Sequence, residues 1–211
     1  MTIKAVVFDF GGVLIDWDRE YLYKQLIPDN AERRWFLDNV CKMDWVVQQD
    51  SGQTAEEGTA ELIALYPEHE ALIRAFYARW PEMVSGVLEE GVALVDRLKA
   101  VDMPLFGLTN WSAETFPYAW ERFDVLRQFR EVIVSGRVGV VKPDPKIFAL
   151  IARRDQEALA GYPADRASLH RRQPEERTSR HAAWLAWRAL HRRDGNGNQA
   201  AHARRAHLNA V

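Results

Sequence analysis

The chain has 211 residues, of which 47% are hydrophobic and 27% charged, with a formal net charge of −2 at pH 7. That length can bury the core of one domain carrying a sizeable insertion, and the composition excludes a disordered or fibrous chain. The single cysteine, Cys41, can build neither an internal disulfide nor a thiolate metal cluster, which fits a reducing compartment.

Residues 3–8, IKAVVF, are a β-branched and aromatic run that stops at Asp9 and the Gly11-Gly12 pair. This predicts a fully buried strand ending in a tight loop. The apolar run from Ala5 to Ile15 is interrupted by Asp9 and followed by Asp16, Asp18 and Glu20, so it fits neither a signal peptide nor a membrane span. We expect a cytoplasmic protein. From Glu20 to about Tyr77 the pattern is helical, broken at Pro28, Gly52 and Pro67, and reads as an all-helical insertion. A helix from about Glu89 to Ala100 leads into a strand from Pro104 to Leu108; a second strand-like run, Glu131 to Ser135, precedes the VGVVKPDP segment and a helix from Lys146 to Arg153. Strand, helix and strand in succession imply parallel pairing through right-handed crossovers.

Beyond Arg154 the character changes. Residues 1–150 hold 16 Lys+Arg against 24 Asp+Glu, whereas residues 151–211 hold 12 against 6. Residues 155–210 contain no Ile, Val, Phe, Met or Lys but ten Arg and five His. A nucleic-acid-binding tail would show such cations, but here they form no stripe.

Chemistry collects at the strand ends. Asp9 places a carboxylate at the mouth of the sheet, where open α/β folds bind ligands, and the amides of Gly11 and Gly12 carry no side chain to keep an anion away. Thr109 and Asn110, in LTN, offer a hydroxyl and an amide to a phosphoryl oxygen or carboxylate. Lys142 stands before two prolines, where its ammonium can neutralise charge building on a transferring group. Trp111 and Ser112 follow directly and are candidate substrate contacts. Asp16 and Asp18 read as solvated hinge carboxylates, Arg19 as an anion clamp at most, and most aromatics among Trp17, Tyr21, Tyr23, Trp35, Trp45 and Tyr77 as core packing.

VVFDFGGVLID, LFGLTNWS and VKPDPKIF resemble the first three motifs of the haloacid dehalogenase (HAD) superfamily, over roughly residues 3–150. The resemblance implies an α/β fold: a Rossmann-like parallel core (1–16 and 87–154) with an inserted helical cap (17–86), followed by an atypical segment, 155–211. It implies that Asp9 is the nucleophile, that Thr109 binds the transferred phosphoryl oxygen, and that Lys142 stabilises charge on Asp9 and its adduct. Gly12, Asn110, Trp111 and Ser112 would contact substrate. In the phosphatases of the family Mg²⁺ is held by the nucleophile, here Asp9, by the carbonyl two residues on, here Gly11, and by an acid from a fourth motif. The substrate would be a small molecule, with no nucleic-acid or membrane partner.

Two features depart from the pattern. Most family phosphatases carry a second Asp, the general acid/base, where this chain has Gly11. The 2-haloacid dehalogenases also lack it and need no metal, so they are the competing enzyme class; a non-catalytic relative is a third reading. The fourth motif, an acidic pair after an apolar strand, is absent. Yet LHRRQPEER, Leu169 to Arg177, has possible codons that, shifted by one nucleotide, read Ile-Asp-Asp-Ser-Pro-Lys-Asn. In that frame Trp184 and Trp187 each yield Gly when the next codon starts with C, matching the family's GWHG. The Arg-rich, Lys-free segment therefore reads as an out-of-frame translation beginning between about Arg154 and Leu169.

Overall fold

The computed structural model describes residues 5–160. Its centre is a parallel sheet of three strands in the order β1-β4-β5, with β1 at Val6–Phe8, β4 at Leu105–Thr109 and β5 at Glu131–Val134. The register pairs Phe8 with Gly107 and Thr109 with Val134, so the strands end side by side and deliver Asp9, Asn110 and Ser135 to one edge. All five residues of β4 are buried, as a central strand with apolar residues on both faces requires. Phe106 and Leu108 pack with Ile133, Ile147 and Ile151, the last two from α9 (Pro145–Ala160). Full burial of each such side chain contributes about 1.5–3 kcal/mol. Leu105 belongs to the larger core, where the Phe10 and Phe129 rings stand 5.0 Å apart.

The helical stretch has more internal structure than its periodicity alone predicts. A two-stranded antiparallel ribbon, β2 (Ile15–Trp17) with β3 (Val84–Val87), carries the chain out of the core and back. Between these strands lie α1 (Arg19–Leu26), α2 (Asn30–Asn39), α3 (Met43–Asp50), α4 (Ala55–Leu65) and α5 (Glu70–Ala78). Asp18 and Asp29 cap α1 and α2, and Thr54 with Glu57 forms a reciprocal capping box on α4. Tyr23, Phe36, Trp45 and Phe76 knit these helices together, with Trp45 Nε1 donating to the Gly58 carbonyl at 2.9 Å. The chain then returns through α6 (Glu89–Lys99) to β4, and through α7 (Phe116–Arg122) to β5, with the one-turn α8 (Ser135–Val138) after it.

The resulting fold is α/β, with a parallel core and helices running from β2 to β3. The out-of-frame reading of 155–211, including the shifted motif at Leu169 to Arg177, concerns residues almost all of which lie outside those described. Among the described residues no helix is long and apolar enough to cross a membrane.

Candidate active site

Asp9 ends β1, and one of its oxygens, Oδ1, accepts the Phe10 amide at 2.8 Å. The other, Oδ2, stands 2.6 Å from Lys142 Nζ, with the two side chains 37% and 21% exposed. A carboxylate held this way keeps one face toward solvent while its charge is balanced from beside it. Two loops far apart in sequence make that pair, and Asn110 holds them in register. Its side-chain nitrogen donates to the Lys142 carbonyl at 3.1 Å and its oxygen accepts the Lys142 amide at 2.8 Å. Both polar ends of Asn110 are thus engaged with the Lys142 backbone, so it positions the lysine instead of offering its amide to a ligand.

The glycine loop is also arranged differently from expectation. Gly12 adopts φ +71° and its amide donates to the Ile15 carbonyl at 2.9 Å, so this N–H closes the turn and does not face an anion. Gly11 lines the open site, with nothing within 4 Å of where a Cβ would stand. Thr109 is fully buried, and its Oγ1 has no hydrogen-bond partner among the described residues. An unpaired buried hydroxyl costs free energy.

Asp9, Gly11, Asn110, Trp111, Ser112 and Lys142 form the polar floor of one cavity of about 260 Å³. Thr109 and Gly12 do not line it. Its walls come from Trp17, Phe76, Tyr77 and Trp80, and from α3 through Met43, Val46, Val47 and Asp50. Trp111 is anchored by its indole N–H to Thr115 Oγ1 at 3.1 Å, and its ring lies 5.7 Å from that of Trp80. The cavity therefore joins a charged base to an aromatic roof, the pattern of a small-molecule site.

Other candidates fall elsewhere. Arg19 donates to the carbonyls of Leu37 and Cys41, tying α1 to the end of α2. Asp16 accepts from Tyr21 (2.8 Å) and from Ser85, bracing the β2–β3 ribbon, and Asp18 is the α1 cap. Trp35 is exposed, while Tyr23 and Trp45 are core.

Sequence reasoning missed Asp50. It is the last residue of α3, where the helix dipole disfavours a carboxylate, and that mismatch is the one signal the sequence offers. Burial pushes its carboxyl up to about 7, against a hydrogen bond from the Ser112 backbone that lowers it. Beside it, Tyr77 is raised by burial and by the charges of Asp50 and Glu114.

As metal donors the described residues offer the Asp9 carboxylate and the Gly11 carbonyl, and no group of three or more His, Cys, Asp or Glu comes together. Two oxygens, one of them on an uncrowded glycine, suit Mg²⁺ bound jointly with water and a phosphate ester, and do not make a closed all-protein cage.

A parallel sheet whose C-terminal edge gathers a carboxylate, a hydroxyl and an ammonium is an α/β architecture of the kind that binds ligands at that edge. Its known counterparts include a HAD family enzyme from Bacteroides thetaiotaomicron. The magnesium complex of that enzyme is 21% identical, with a TM-score of 0.54 over 73% of this chain and 78% of the other. A second structure of the same enzyme gives 21% identity and a TM-score of 0.53 over 73% and 79%. The chain thus has the HAD-like fold. No protein-family profile and no curated protein sequence matches it.

Proposed function

We propose that the protein is a HAD-type hydrolase, a phosphatase of a small phosphorylated metabolite that works through an aspartyl-phosphate on Asp9. The observation that carries this reading is the 2.6 Å pair of Asp9 and Lys142 at the C-terminal edge of the sheet, under a cavity roofed by aromatic rings.

In this mechanism the open face of the Asp9 carboxylate attacks phosphorus while Lys142 offsets the charge that accumulates on the carboxylate and phosphoryl oxygens. The Thr109 hydroxyl, buried at the end of β4 outside the cavity lining, is assigned to the phosphoryl group on the family resemblance alone, and Asn110 holds Lys142 in place. Trp17, Trp80 and Trp111 take the organic part of the ester and exclude water. Mg²⁺, held by Asp9 and the Gly11 carbonyl, would screen repulsion between carboxylate and phosphate. The magnesium complex of the B. thetaiotaomicron enzyme supports that metal.

A panel of phosphorylated metabolites, assayed with Mg²⁺ and with chelator, tests the reading. Turnover that chelator abolishes, and a phosphoryl adduct on the peptide bearing Asp9 that disappears in Asp9→Asn, are expected. Gly11, which stands where most such phosphatases carry an acid, favours a second reading: chelator-resistant release of halide from a 2-haloacid would replace the phosphatase by a dehalogenase using the same aspartate.

A further inference from the structure

Glycine at position 11 leaves the proposed phosphatase without a proton donor beside its nucleophile, yet an alkoxide leaving group needs a proton. Among the described residues, Asp50 is the one acidic residue besides Asp9 that lines the cavity. Resting on the phosphatase reading, we infer that Asp50, carried by the helical segment, is the catalytic acid and base that the Gly11 position does not supply.

The placement is built, not incidental. Asp50's backbone carbonyl accepts the Ser135 hydroxyl at 2.6 Å, and the same hydroxyl accepts the Trp111 amide at 3.0 Å. Ser135 begins α8 at the end of β5, and Trp111 follows β4, so α3 is pinned to both strand ends that flank the nucleophile. The end of α3 is thus fixed to the strand ends, and Asp50 lines the same cavity as Asp9 and Lys142.

The surroundings suit a group that must carry a proton near neutrality. No ion pair to Asp50 occurs among the described residues. Lys142, which faces the same cavity, is engaged with Asp9. From α5 the neighbouring group is Tyr77, which also feels the charge of Glu114, whose Oε1 accepts the Ala55 amide. On α8, Arg137 lies over the Phe116 ring. Burial favours the neutral acid, and its carboxyl stands at about 7.

The step balances. As Asp9 Oδ bonds to phosphorus, the P–O bond to the organic group breaks, and the departing oxygen takes the Asp50 proton, giving an alcohol, aspartyl-phosphate and an Asp50 carboxylate. That carboxylate then takes a proton from water as the water oxygen bonds to phosphorus. The P–O bond to Asp9 breaks, releasing phosphate and restoring Asp9 and protonated Asp50.

Leaving groups provide the test. The full chain, Asp50→Asn, Asp50→Glu and Asp9→Asn are assayed on an alkyl phosphate and on 4-nitrophenyl phosphate, whose phenolate leaves without a proton. Asp50→Asn is expected to lower alkyl phosphate turnover by ~10²–10⁴-fold. It should keep a stoichiometric first release of nitrophenolate and then stall, because the adduct no longer meets its base. Asp50→Glu is expected to recover part of the alkyl activity. Equal loss of the first turnover on both esters, or loss on neither, overturns the assignment while leaving the phosphatase reading intact. A wild-type chain that cleaves neither ester, or an Asp9→Asn chain that cleaves both as fast, overturns both.

Discussion

Thr109 carries a hydroxyl that has no partner among the described residues in a fully buried place, so the role proposed for it in holding a phosphoryl group would come at a cost in stability. Thr109→Val keeps the shape and removes the orphan, whose burial costs about 1–3 kcal/mol when unpaired. We expect the variant to melt at the same temperature or higher while turnover falls on the order of 10²-fold; a clearly lower melting temperature would show the hydroxyl to be structural. Asp50 gives a second test at this scale. Its folded carboxyl is raised from 3.8 to about 7 by burial, so between roughly pH 4 and 7 the folded state holds a proton that the unfolded state has released. Stability from this group is therefore whole below pH 4 and is lost as pH rises through 7. Asp50→Asn should flatten that fall in denaturant titrations run across the window, and an unchanged slope would contradict the shift. Asp9 and Lys142 were legible because each ends a readable run. The job of Asn110 was not, since it depends on meeting a backbone 32 positions away.

At the scale of elements, what decides the site is how closely α8 approaches the loop after β4. A Cβ on Gly136 would meet the Ala113 amide at 2.5 Å and the Trp111 carbonyl at 2.8 Å, both backbone atoms that cannot swing aside. Gly136→Ala must push the Trp111–Ser112 loop off the strand end, at a cost of about 1–3 kcal/mol. We expect a lower melting temperature together with weakened turnover, whereas Gly11→Ala, with open space around it, should melt like the wild type. Thermal unfolding of the two variants side by side checks the contrast. The long helices could be read from periodicity, and β1, β4 and β5 from continuous apolar runs that halt at a strand-end polar residue. The β2–β3 ribbon could not: its strands have three and four residues, with Asp16 facing Gly86, and no alternation survives at that length.

For the whole molecule the open question is what lies beyond β1. Among the described residues β1 pairs only with β4, and Val6 and Val7 are only partly buried, whereas every residue of β4 is buried. An unpaired parallel strand with apolar side chains is a site for aggregation and a loss of core. Residues 155–210 contain no Ile, Val, Phe or Met to build a buried strand, while one set of codons allowed for Leu169 to Arg177 would, shifted by one nucleotide, read Ile-Asp-Asp-Ser-Pro-Lys-Asn. The same shift would add an acidic pair to the two donors at Asp9 and Gly11. Stability and metal affinity should therefore change together. We expect a chain whose frame is shifted by one nucleotide within codons 155–169 to melt several degrees higher than the chain as given, since each kcal/mol moves a protein of this size by roughly 2–4 °C. Its phosphatase turnover should saturate at lower Mg²⁺. The two proteins, expressed in parallel and compared by calorimetry and by Mg²⁺ titration of activity, make the comparison. A shifted chain that is no more stable and binds Mg²⁺ no better would mean that the Arg-rich segment is native, and that the chain completes its sheet and its site by other residues.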